Sequence, residues 1–185
     1  MYRFFTNIDT ALFYAVNHGL ENKFFDIIMP IITDIAYWEI PLLAAWLCLM
    51  IFGGRKGRIT GIVLVVSIIL IDLFNSYPLK FLFARTRPCN VLLDVRTLVP
   101  TSTSYSFPSS HASNIFGLAT ILSSKYKSFR FYFFSVALVV GISRIYVGVH
   151  YPFDVLAGAA VGILCGLGML KLEKYITSHF SLTAS

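Results

Sequence analysis

Residues 59–77 read ITGIVLVVSIILIDLFNSY, and this run decides the fold class. An α-helix rises about 1.5 Å per residue, so about 20 apolar residues reach across the hydrocarbon layer of a bilayer. Asp72 is the one charged residue in the run. Working outward, comparable runs occupy residues 37–53, 110–122, 131–149 and 153–170. The 185-residue chain is 57% hydrophobic and 13% charged, with mean hydropathy +0.75, which excludes a disordered chain and a water-soluble one of this size. The expected fold is an all-α integral membrane protein, a bundle of five to six transmembrane helices with an N-terminal amphipathic interfacial helix. Residues 1–185 form a single polytopic domain in this reading, with interfacial or short helices over 1–36 and the catalytic bundle over 37–175.

The margins of this scheme follow from local pattern. The run from Ser110 is short, so it must tilt or sit partly within the protein. Phe4, Phe5, Ile8, Leu12, Ala15 and Val16 fall at helical spacing, interrupted by Thr6, Asn7, Asp9, Asn17 and His18, as in a helix lying in the interface. Residues 24–36 are apolar but hold Asp26, Pro30 and Asp34; they form either a short kinked sixth span or a second interfacial piece. Gly158, Gly162 and Gly166 recur every four residues, a close-packing stripe expected to serve packing within the monomer. Of the three cysteines, Cys48 and Cys165 read as small apolar fillers and Cys89 as an exposed thiol, so no disulfide scaffold is expected. The first residues lack the charge pattern and cleavage site of a removable signal peptide.

The net charge of +6 bears on membrane sidedness rather than on nucleic acid. Arg55, Lys56 and Arg58, then Lys125, Lys127 and Arg130, then Lys171 and Lys174 occupy alternate connections and the tail. They are eight of the fifteen basic residues, and the positive-inside rule places them in the cytoplasm. The opposite face receives residues 78–108 and the turn at 148–152.

Those outer ends collect the polar residues. Lys80 and Arg87 bracket KFLFARTRP, Ser109, Ser110 and His111 follow Pro108, and SRIYVGVHYPFD holds Arg144, His150 and Asp154. Ionisable groups near hydrocarbon are costly and imply a function. Phosphoryl transfer fits this set. The transferring group spreads negative charge over three oxygens, which Lys80, Arg87 and Arg144 would meet. Ser109 and Ser110 open a helix, whose free N–H groups and hydroxyls favour an anion. Asp154, four residues after His150, would orient that imidazole and leave its other nitrogen to attack phosphorus. His111 would protonate the leaving oxygen and later accept a proton from water.

Taken together, K-x6-RP, PSxH and SR-x5-H-x3-D resemble the three signatures of the type 2 phosphatidic acid phosphatases, over roughly the middle 40% of the chain. Ten fixed positions at about one in twenty each, placed freely, would coincide in roughly one chain in a million. The resemblance implies that Lys80, Arg87 and Arg144 hold phosphate, that Ser109 and the residue 110 amide assist, and that His111 is the acid, His150 the nucleophile and Asp154 its partner. The commonest second signature is PSGH; Ser110 stands where glycine is usual, which would matter if the backbone there needed a positive φ.

Other polar residues read as structural. His18 and His179 are expected to be hydrogen-bonded structural residues, and Arg85 and Arg96 to be solvated or at lipid headgroups. Asp72 is expected to pair with Lys80 or to hydrogen-bond Asn75, Ser76 or a neighbouring helix. Tyr37, Trp38, Tyr126 and Tyr151 are expected as interfacial anchors. No metal-ligand spacing is present, and no cofactor is expected.

The expected function is metal-independent hydrolysis of a lipid phosphate or pyrophosphate through phosphohistidine, at the outer face of a bacterial inner membrane. The substrates favoured are undecaprenyl pyrophosphate and the 1-phosphate of lipid A, with phosphatidylglycerol phosphate or phosphatidic acid as the alternative. Expected partners are that lipid phosphate and the surrounding membrane lipids, with no nucleic acid, and the protein is a monomer or weak homodimer. Two rivals share features: vanadium haloperoxidases, which are soluble, and a non-enzymatic anion or lipid transporter, which would not need His150 four residues before Asp154.

Overall fold

The computed structural model describes the backbone of residues 2–182 and the side chains of 5–75 and 78–179; the side chains of Phe4, Ser76 and Tyr77 lie outside the described residues. Nine α-helices are found there: α1 (Tyr2–Asn17), α2 (Lys23–Thr33), α3 (Glu39–Phe52), α4 (Gly54–Phe74), α5 (Lys80–Phe83), α6 (Pro88–Val91), α7 (Ser110–Lys125), α8 (Arg130–Tyr146) and α9 (Pro152–Leu182). Segments Gly54–Phe74, Lys127–Tyr146 and Pro152–His179 are long and apolar enough to cross a membrane, and α3 is a shorter apolar helix. Ile40 and Phe52 on α3, Phe131 on α8 and Leu164 on α9 point outward, the surface of a protein solvated by lipid.

Helix α7 is the centre of the bundle, packed by α4, α8 and α9. Apart from Ile121 its buried residues are small or polar, including Ala112, Ser113, Gly117, Ala119 and Thr120, which is why a short helix of modest hydropathy can sit within the protein. The glycine stripe of α9 lies against it. A Cβ at Gly162 would stand 2.1 Å from the Ser113 carbonyl oxygen, and one at Gly158 2.5 Å from that of Ser109. The stripe is therefore an internal seam, as expected from its spacing. Asp72 settles on the neighbouring-helix alternative, accepting from Asn114 Nδ2 at 2.8 Å and tying α4 to α7.

The basic turns gather at one end of the bundle, where Lys125 Nζ meets Glu173 Oε1 at 2.5 Å and Lys56 lies 4.5 Å from the centre of the Tyr126 ring. At the other end, α4 passes into a wide π-type turn over Asn75–Leu79 that contains Pro78. Proline has no N–H to give to the helix ladder, and the widened turn accommodates that loss just before Lys80.

Several N-terminal expectations change. Residues 24–36 fold as the 11-residue α2 and a single 3₁₀ turn at Ile35–Tyr37; at about 16 Å, α2 is too short to cross a bilayer alone. In α1, Asp9, Phe13 and Asn17 form the buried face while Phe5 and Leu12 point outward. Of its polar residues, Asp9 and Asn17 turn inward while Thr6 and Asn7 stay exposed. Asn17 Nδ2 donates to the carbonyls of Arg96 and Tyr146, and Asn17 Oδ1 accepts from the Arg96 amide. Tyr151, read as an anchor, is buried against Phe13. Arg96, read as solvated, pairs with Asp26 at 2.6 Å and Glu21 at 3.3 Å.

Candidate active site

Five helix ends build the site. Lys80 begins α5 just past the π-type turn, and Arg87 is the extended residue before α6, whose first residue is Pro88. Ser109 caps α7, Arg144 lies in the last turn of α8, and Asp154 in the first turn of α9. Between them lies a cavity of about 260 Å³ lined by Lys80, Arg87, Ser110, His111, Arg144 and His150, together with Pro100, Ser102 and Val149. Six of the eight residues singled out in the sequence thus share one cavity. The other two stand behind it: the Ser109 hydroxyl accepts from the Ala112 amide at 3.4 Å as the α7 cap, and Asp154 is fully buried.

Arg87 is held rigidly. Its Nε donates to the Ser104 carbonyl at 2.9 Å, Nη2 to Ser104 Oγ at 3.0 Å and Nη1 to the Val149 carbonyl at 3.1 Å. Nη1 is also 3.2 Å from His150 Nε2. On the far side of that ring, Nδ1 faces Asp154 Oδ2 at 3.5 Å, longer than a normal hydrogen bond. Arg144 donates from Nη1 to Thr33 Oγ1 at 2.7 Å. Among the described residues, Ser110 Oγ, Arg144 Nε and His150 Nδ1 are buried side-chain atoms without a hydrogen-bond partner in the protein, and all three belong to residues lining the cavity. Three cations with two such orphaned donors suit an anion with several oxygens.

Ser110 begins α7 without the positive φ that would penalise a side chain; the positive-φ non-glycine residues are Ala84 and Asp94. Serine in place of glycine therefore carries no backbone strain here.

Sequence reasoning missed Arg85. Read as solvated, it donates from Nη1 to Asp154 Oδ1 at 2.8 Å and from Nη2 to Asp9 Oδ2 at 2.6 Å, and its guanidinium lies 3.9 Å from the centre of the Tyr151 ring. The pairing joins residues 69 and 76 positions apart; the proximity of Arg85 to Arg87 was the available signal. Cys89, read as an exposed thiol, is half-buried beside Asn90 Oδ1 at 3.6 Å, and burial pushes its thiol pKa up. Cys48, read as a filler, is exposed on α3.

Residues 60–178 match the PAP2 superfamily. The chain is 34% identical over 182 residues to the undecaprenyl-diphosphatase BcrC of Bacillus subtilis, covering 92% of this chain and 87% of that one. It is 30% identical over 171 residues to a lipid A 4'-phosphatase of Bacteroides thetaiotaomicron, covering 88% and 75%. The crystal structure of Aquifex aeolicus LpxE superposes with TM-score 0.72 at 30% identity, covering 89% of this chain and 95% of that one. With a family match across most of its length and the helical bundle to carry it, the chain belongs to the PAP2 superfamily and is a membrane phosphatase of that type.

Proposed function

We propose that the chain hydrolyses a lipid phosphate or pyrophosphate at the outer face of a bacterial inner membrane, without a metal and through a phosphohistidine at His150. The observation that carries this reading is the single cavity shared by Lys80, Arg87, Ser110, His111, Arg144 and His150. Arginine has donors only, so the short approach of Arg87 Nη1 makes His150 Nε2 the ring's acceptor nitrogen and leaves the proton on Nδ1, toward Asp154. Nε2 then bonds to phosphorus while the bond from phosphorus to the leaving oxygen breaks, and that oxygen takes a proton from His111. Water next bonds to phosphorus as its proton passes to His111, the bond from phosphorus to Nε2 breaks, and inorganic phosphate leaves with His150 restored. Lys80, Arg87 and Arg144 stabilise the charge on the transferring oxygens throughout.

Undecaprenyl pyrophosphate is the substrate favoured, supported by 34% identity across 92% of the chain to a protein named for it. Lipid A phosphate stands beside it through the Bacteroides relative, which is named for the 4'-phosphate; the preference for the 1-phosphate comes from the sequence motifs and not from that relative. Purified protein in detergent, supplied with these two lipids, phosphatidylglycerol phosphate and phosphatidic acid, with and without EDTA, tests the reading. Phosphate release from the first two that survives EDTA is expected. Release that stops with the chelator and returns with magnesium overturns the metal-free mechanism, and no release from any lipid phosphate overturns the reading.

A further inference from the structure

The buried face of α1 ends on the catalytic turn through one charged chain. Asp9 is fully buried. Its Oδ2 accepts from Arg85 Nη2 at 2.6 Å, and its Oδ1 accepts from the Phe153 amide at 2.9 Å, in the first turn of α9 and one residue before Asp154. Arg85 passes the contact on, from Nη1 to Asp154 Oδ1 at 2.8 Å. The remaining oxygen of Asp154, Oδ2, accepts from the Tyr151 amide at 2.9 Å and faces His150 Nδ1.

Two buried carboxylates on one guanidinium are costly in desolvation, and packing the α1 face required neither. Phe13 already docks α1 on Tyr151, and Asn17 docks it on the end of α8. What the additional pair supplies is geometric. A planar fork fixes the carboxylate plane of Asp154, which otherwise has one backbone donor to hold it. The same fork occupies Asp154 Oδ1 and leaves Oδ2 facing His150 Nδ1. The 3.5 Å gap between Nδ1 and Oδ2 closes readily when His150 becomes cationic on phosphorylation, provided the carboxylate plane stays put.

We infer that Asp9 and Arg85 are positioning residues that act through Asp154 on the His150 nucleophile, so that the N-terminal helix belongs to the catalytic apparatus. The inference rests on the proposed phosphohistidine mechanism. It is tested with full-length Asp9→Asn, Arg85→Lys, the double variant and His150→Ala, each purified in detergent, by steady-state phosphate release from undecaprenyl pyrophosphate and by thermal melting. Asn at position 9 keeps the acceptor for the Phe153 amide, and Lys at 85 keeps the charge but reaches one carboxylate rather than two.

For each single variant kcat is expected to fall about 10-fold or more with KM within about twofold, since a misaligned nucleophile slows chemistry without weakening phosphate binding. The double variant is expected to be no worse than the poorer single, because both act along one path. Unchanged kcat in both single variants, or losses that multiply in the double, overturns the inference. So does a kcat loss that merely tracks lost folded protein on melting. An active wild type with fully active His150→Ala overturns the phosphohistidine reading instead, and is told apart by that variant alone.

Discussion

Arg87 Nη1 stands 3.2 Å from His150 Nε2, so a cation with no acceptor presses on the nitrogen proposed as nucleophile. Burial holds His150 well below its usual range, to about 4, with the Asp154 carboxylate opposing and the Arg144 and Arg87 charges adding to the depression. His150 is therefore neutral at physiological pH, as a nucleophile must be. The sign of the linkage follows. In the unfolded chain the imidazole binds a proton near pH 6.5, while in the folded one it does so only near 4, so stability contributed above 6.5 is lost as pH falls from about 6.5 to about 4. Melting temperature in detergent should fall over that window, and His150→Gln should flatten the fall. An equal pH dependence in that variant would assign the titration elsewhere.

Arg87 makes three protein contacts besides that with His150, all from different N–H groups of one plane. Lysine at this position has a single nitrogen and cannot hold the Ser104 loop and present a donor to phosphate together. Arg87→Lys is expected to lower kcat/KM by about 100-fold, the scale of losing one preorganised donor at a transition-state charge. Ser104→Ala removes just one side-chain contact of Arg87, at 3.0 Å, and leaves the backbone acceptor, so its loss should be much smaller. Comparable losses in the two variants would show that the loop, not the charge, carries the effect.

The residues that could be read in advance are those whose meaning is local. A run such as 59–77 declares a span by its length, and the candidate-site residues declare themselves through short motifs, among them His150 four residues before Asp154. Arg85, Asp9 and Tyr151 carry no such spacing. Their roles arise from contacts between α1, the segment before α6 and the start of α9, and an isolated arginine in a loop has the same local signature whether it is solvated or paired. The N-terminal pattern misled for a related reason: Asp9 and Asn17 mark a polar face correctly, but a polar face also fits a catalytic turn that offers N–H and guanidinium donors.

Gly162 is where the bundle tolerates least. A Cβ there would stand 2.1 Å from the Ser113 carbonyl oxygen and 2.9 Å from the Gly117 amide nitrogen, both backbone atoms that move only with α7. Gly168, six residues on in the same helix, has open space around an added Cβ. Gly162→Ala is expected to destabilise by about 1–3 kcal/mol, the scale of overpacking, and to depress activity by displacing the helix that carries Ser110 and His111. Gly168→Ala should hold or raise the melting temperature, because alanine is the better helix former by about 1 kcal/mol. Equal melting of the two variants would mean that α7 and α9 pack less closely than these distances state.

Sidedness supplies the last prediction. The cavity and the basic turns stand at opposite ends of the bundle, and the positive-inside rule puts the turn containing Ser128 in the cytoplasm and the cavity outside. Cys89 is a poor reporter, since its thiol is half-buried and burial raises its pKa, leaving little thiolate to react. Ser102 is better placed, being exposed and lining the cavity. In intact spheroplasts a membrane-impermeant maleimide should label Ser102→Cys, and it should reach Ser128→Cys only after lysis. Vanadate, which imitates the transferring phosphoryl group, should slow labelling at position 102 and leave 128 unaffected. The reverse pattern, with 128 reactive in intact spheroplasts and 102 only after lysis, would invert the chain in the membrane and direct its chemistry to lipids of the cytoplasmic leaflet.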